Sequence, residues 1–138
     1  MSTETTATSA SLFSRPANPI GYLAILMALI TGVLHLLAST NAIEMSLILA
    51  VLFILNGLGF IGGSILYVTQ FWRRWLFLVA AIYSIVTILA LFPVQGWGVE
   101  AFYMQGNLNP IAVITKAAEA ILAACAVYLY FDTGDSRQ

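Results

Sequence analysis

The sequence predicts an all-α fold, an integral membrane four-helix bundle with short cytoplasmic termini. Three observations carry that prediction. Of 138 residues, 61% are hydrophobic and only 8% are charged, with a mean hydropathy of +0.95, whereas a soluble domain of ordinary composition is about one quarter charged. The apolar text falls into four segments, each near the roughly 20 residues that a transmembrane helix requires. The arginines fall only in alternate connections between those segments.

Residues 1–18, "MSTETTATSASLFSRPAN", are rich in Ser, Thr and Ala without periodicity, and read as a disordered cytoplasmic leader. The transmembrane domain follows over 19–131, with spans at about 19–38, 43–70, 74–93 and 110–131, and 132–138 form a cytoplasmic tail. "STNA" (39–42) reads as a tight turn that makes the first two helices antiparallel neighbours. It could also end a signal peptide, but the preceding apolar run of about 20 residues exceeds the usual 7–15-residue core, which favours a retained helix. The second segment is the longest, so a tilt or a projecting end is expected. "FWRRW" (71–75) sets two arginines between tryptophans, an interfacial anchor. "VQGWGVEAFYMQGNLN" (94–109) suggests a segment lying at the membrane surface. Asn109-Pro110 resembles an N-cap followed by proline at the first helical position.

Orientation follows from charge. With four spans, the N-terminus, the second connection and the C-terminus share one side and carry Arg15, Arg73, Arg74 and Arg137. The other connections hold Glu44 and Glu100 but no Lys or Arg. The positive-inside rule then places both termini in the cytoplasm of a multi-pass cell-membrane protein.

Helical projection at 100° per residue gives each span a small or polar face. On the first it holds Gly21, Ala24, Ala28, Thr31, Gly32, His35 and Ser39; on the second, Asn56, Gly59, Gly63, Tyr67 and Gln70. The third has a weaker stripe of Ala80, Ser84 and Thr87. On the fourth, Lys116, Glu119, Ala120, Ala123, Ala124 and Val127 align, opposed by Ile111, Ile114, Ile121, Cys125 and Leu129. Helices in lipid associate through small residues and polar groups, so Gly32, Gly59, Gly63, Ala120 and Ala123 are expected to pack helix on helix. Gly59-x-x-x-Gly63 reads as packing within one bundle before it reads as a dimer motif.

The chemistry concentrates in an intramembrane cluster of His35, Asn56, Lys116 and Glu119. With the first span ending near 38, a rise of 1.5 Å per residue sets His35 about 5 Å, Lys116 about 9 Å and Glu119 about 14 Å below the outer edge. A charge at the bilayer centre costs about 2.5–3.5 kcal/mol on insertion scales, so the pair is expected to face inward. Glu119 could accept from Lys116 or His35, with Asn56 satisfying a remaining bond and Glu44 above them. The bland reading is a structural knot, in which Lys116 snorkels to the outer interface and Glu119 is neutral or paired. The sharper one is a proton or ion site, with Glu119 carrying the proton, His35 relaying it and Lys116 tuning it.

Other classes are bounded tightly. Cys125 is the only cysteine and His35 the only histidine, so no intrachain disulfide and no metal set built on two such ligands can form. No catalytic motif is present, no cofactor is called for, and no basic run suggests nucleic acid. Haem held between two copies through His35 remains a minor possibility. "TGVLHLLAS" (31–39), "FILNGLGFIGG" (53–63), "FWRRW" (71–75) and "TKAAEAILAACAVYLY" (115–130) touch all four spans. On these stretches the chain resembles small four-span membrane families of halophilic archaea, uncharacterised in function. The resemblance implies an integral membrane protein and transfers no catalytic residue. Three classes remain: a structural or accessory subunit packing against partner helices, lipid or further copies; a small oligomeric proton- or ion-coupled transporter or channel; and a membrane enzyme or electron carrier, for which the sequence shows neither motif nor ligand set.

Overall fold

The computed structural model describes residues 10–135. The outer parts of the expected leader and tail, residues 1–9 and 136–138 with Arg137, lie outside that range.

Helix α1 (Pro19–Met45) opens on Asn18, whose side chain accepts from Ile20 N at 2.9 Å, with proline at the first helical position. It does not stop at "STNA". Ser39 and Thr40 donate to the carbonyls of Leu36 and Leu37 at 2.6 and 2.7 Å, so their hydroxyls are satisfied within the helix and no turn forms. The break falls at Ser46, an extended residue (φ −163°, ψ 125°) that caps α2 (Leu47–Tyr67). The expected boundary at 38 and the ranking of the second span as longest are thus both corrected: α1 has 27 residues and α2 has 21.

After α2 the chain turns through 68–74. Phe13 bridges Thr69, with Ser14 N donating to Val68 O (2.8 Å) and Gln70 N to Leu12 O (3.0 Å). Residues 12–14 are therefore held by backbone bonds, unlike the irregular leader expected over 1–18. Helix α3 (Trp75–Leu89) continues through Ala90 into α4 (Leu91–Gln95), and Gly96 (φ 114°) ends it. The third connection folds into a 3-10 turn (Val99–Phe102) and a hairpin, β1 (Tyr103–Met104) with β2 (Asn107–Leu108). Its tip is Gln105-Gly106, both at positive φ, the backbone that matches a two-residue hairpin to strand twist. Asn109 Oδ1 then accepts from the Ile111 and Ala112 amides at 3.2 and 3.4 Å and starts α5 (Pro110–Asp135).

Four helical units, Pro19–Met45, Leu47–Tyr67, Trp75–Gln95 and Pro110–Asp135, are long and apolar enough to cross a membrane. α1 packs on both α2 and α5, and α5 also packs on α3. Neighbours are antiparallel: Gly21 sits by Tyr67 and Gly32 by Gly57, Thr31 bonds Glu119, and Arg74 bonds the Tyr130 carbonyl. α2 and α3 meet through side chains, Tyr83 stacking edge-on to Phe60 with ring centroids 4.9 Å apart.

The projected face of α1 is the buried one, extended by Ala42. On α2 the buried face is rotated, with Ala50, Gly57, Phe60 and Ser64 inward while Gly59 and Gln70 are exposed. α5 serves two neighbours, so its buried stripe is broad and takes in Cys125 and Leu129, which projection had assigned to the opposite side. Ala120, Ala124 and Val127 are exposed instead. Large apolar residues such as Leu26, Leu37, Ile65, Ile82, Val86 and Ile114 cover the outside.

The α1–α2 contact is set by Gly57. A Cβ there would come within 2.8 Å of the Gly32 carbonyl oxygen and 2.9 Å of Leu36, and a backbone oxygen cannot swing away. Gly57→Ala is expected to destabilise the protein in detergent by about 1–3 kcal/mol through overpacking. Gly62→Ala, with nothing within 4 Å, should be neutral or stabilise by up to about 1 kcal/mol through helix propensity. Thermal unfolding of both variants checks this pair, and equal losses would refute it.

Candidate functional site

Glu119 is fully buried, and both of its oxygens are engaged. Its Oε2 accepts from Lys116 Nζ at 2.8 Å, a pair one helical turn apart on α5. Its Oε1 accepts from the Thr31 hydroxyl of α1 at 2.9 Å. Lys116 Nζ also donates to the Thr87 carbonyl of α3 at 2.9 Å. One ion pair therefore ties three helices together. The antiparallel packing of α1 on α5 places Thr31 opposite Glu119, and Thr87 uses its carbonyl for Lys116 while its hydroxyl bonds back to Tyr83 O at 2.8 Å.

His35 stands one turn beyond Thr31, buried against Phe53 and Phe60 with ring centroids 5.7 and 6.0 Å away. Its Nδ1 lies 2.8 Å from the Thr31 carbonyl, which can only accept, so Nδ1 carries a proton. Nε2 faces Glu119 Oε1 at 3.7 Å, beyond hydrogen-bond range. The contact between His35 and Glu119 is electrostatic proximity and not a formed relay bond. Both ring nitrogens are directed at groups of the same chain, an arrangement that does not suit the bridging of two copies by haem.

The structure brings His35, Lys116 and Glu119 together and leaves Asn56 one step away. Asn56 Oδ1 lies 3.3 Å from the Thr87 hydroxyl, and its carbonyl accepts from Tyr83 OH at 3.3 Å. Glu44 is exposed near the end of α1. The depth estimate changes with the helix boundary: counted from Met45, His35 lies about 15 Å below its end of the bundle, level with Glu119 at about 14 Å from Pro110. The extra helical residues remove the mismatch that the expected turn at 39–42 implied.

Thr31, Tyr83 and Thr87 complete the network without having been given roles from sequence. Thr31 and Thr87 were on the projected inner faces; the available signal was the i, i+4 spacing of Thr31 and His35. Of the packing residues, Gly32 is in close contact, since a Cβ there would meet Ile61 at 2.8 Å and Gly57 O at 3.1 Å. Gly59 faces the Tyr83 hydroxyl, 2.5 Å from where its Cβ would stand. Gly63 has nothing within 4 Å, Ala120 is exposed, and Ala123 is buried. Among the described residues no group of three His, Cys, Asp or Glu side chains could hold a metal ion.

A family described as being of unknown function, DUF7475, matches residues 6–130. No curated protein and no solved structure matches the chain.

Removing one partner of a buried ion pair strands the other. Glu119→Leu is therefore expected to cost about 3–5 kcal/mol, and Lys116→Met added to it should restore a large part of that loss. A double-mutant cycle from unfolding in detergent measures the coupling; simple additivity would show that the two side chains do not depend on each other.

Proposed function

We propose that this chain, which belongs to the DUF7475 family, is a four-span integral membrane protein with both ends in the cytoplasm, acting as a structural or accessory subunit. The observation that carries the structural role is the closure of the charge cluster. Glu119 is fully buried with both oxygens bonded inside the chain, and the two cavities at the arginine-bearing end and between α2 and α3 are lined by none of His35, Lys116 and Glu119. A site that loads and releases a proton or ion needs a route for it. The exterior instead carries many large apolar side chains, suited to lipid or partner helices.

The orientation is supported by which segments converge. Residues 12–14 pair with 68–70, and Asn18 donates to Asp132 at 2.9 Å, so the N-terminal segment, the arginine turn and the end of α5 share one end of the bundle. Glu44, in the last turn of α1, and Glu100, in the third connection, lie at the other end. Arg15, Arg73 and Arg74 on one end and no Lys or Arg on the other follow the positive-inside pattern.

Coupled transport is the alternative, favoured by His35 and Lys116 lying 3.7 and 2.8 Å from one buried carboxylate. Glu119→Gln separates the two readings. For a structural clasp, proteoliposomes of the wild type show no proton flux above protein-free liposomes, and the variant mainly loses thermal stability. A pH-gradient signal in the wild type that Glu119→Gln abolishes, with assembly intact, would overturn the structural reading.

A further inference from the structure

At the arginine-bearing end, two cavities share a wall. The first, about 470 Å³, is lined by Trp72, Arg73, Arg74, Trp75 and Tyr130 among others. The second, about 220 Å³, lies along the seam of α2 and α3, where Gly59, Gly63, Leu76, Ala80 and Tyr83 contribute to a largely apolar lining. Trp72 and Phe77 belong to both.

Three features at this junction ask for a ligand. The first is charge. Among the described residues neither arginine forms an ion pair. Arg74 gives Nε to the Tyr130 carbonyl at 2.8 Å and lies 4.0 Å over the Tyr130 ring, which leaves its remaining donors for another group. The second is a stranded donor: Trp72 Nε1 is buried with no acceptor among the described residues, which is unfavourable unless something relieves it. The third is space. A Cβ at Gly63 would meet nothing within 4 Å, so the protein's own packing does not require glycine there, although glycine weakens a helix interior. An apolar cavity of this kind gives water no partners to bond.

The geometry points to one anionic phospholipid as the occupant of both cavities. Its phosphate would meet Arg73 and Arg74 with Trp72 Nε1 as a further donor, and one acyl chain would follow the seam past Gly63 toward Tyr83. Guanidinium groups match phosphate oxygens in pairs, and tryptophan favours the headgroup level. Juxtamembrane arginines on the cytoplasmic side are drawn to anionic lipid. From Leu76 to Tyr83 the helix rises about 10 Å, which fits within one leaflet of a hydrocarbon core about 30 Å thick. The tyrosine hydroxyl, held at 3.3 Å on the Asn56 carbonyl, closes the seam below the charge cluster.

This inference rests on the membrane reading above, and the two fail separately: loss of the chain from carbonate-washed membranes defeats the membrane reading, whereas retention without lipid preference defeats only this one. The test is native mass spectrometry of the full chain in detergent with phosphatidylglycerol or phosphatidylcholine of matched acyl chains. Phosphatidylglycerol should bind about tenfold more tightly, as expected for arginines near an anionic headgroup. Arg73→Gln, whose parent side chain has no partner among the described residues, should reduce that preference, and Arg73→Gln with Arg74→Gln should erase it. Gly63→Leu should lower occupancy by both lipids while thermal stability holds, because it fills space and not a protein contact. Equal binding of the two lipids, a preference unchanged in the arginine variants, or unchanged occupancy in Gly63→Leu would overturn the proposal. So would inorganic phosphate displacing phosphatidylglycerol at equal concentration, which would mark a free-anion site.

Discussion

The ion pair of Lys116 with Glu119 is the constraint around which the other helices are arranged. A carboxylate without surface exposure must be bonded on every side, because an unpaired charge in a low-dielectric interior is expensive. Thr31 of α1 supplies the bond that Lys116 does not, and the Thr87 carbonyl of α3 takes a second donor of the lysine. The polar requirement of one turn of α5 thereby fixes the depth of two other helices.

The two ends of the bundle are held differently. Around the ion pair, contacts are polar and directional, and Gly32 and Gly57 let α1 and α2 approach until backbone meets backbone. At the arginine end the helices are held by aromatic edges: Tyr67, Trp72 and Phe77 meet in a trio with ring centroids 4.9–5.4 Å apart. There a largely apolar cavity lies between α2 and α3. A closed polar knot thus occupies one half of the bundle and an apolar cavity the other.

Much of the fold was legible in the sequence because long, strongly apolar segments follow simple rules. Four long apolar segments gave four helices, Asn109-Pro110 gave a helix start, and the inward face of α1 was readable because its small and polar residues repeat at helical spacing. Boundaries were less legible. Ser39 and Thr40 look like turn formers, but in an apolar setting each can return its hydroxyl to the preceding helical turn. The face of α5 was misassigned at Cys125 and Leu129 because projection presumes one partner, whereas α5 has two. Within the cluster, the nearness of Lys116 and Glu119 follows from their spacing on one helix. That Thr31 and not Asn56 completes the carboxylate depends on helix rotations that no single segment encodes.

The account depends most on Lys116 remaining beside Glu119 inside the bundle instead of snorkelling to the outer interface. Solid-state NMR of the labelled chain in bilayers measures this directly, through the dipolar coupling between Lys116 Nζ and the Glu119 carboxyl carbon. A strong coupling, with a lysine ammonium shielded from water exchange, is the predicted result. A vanishing coupling with rapid exchange between that ammonium and water would contradict it.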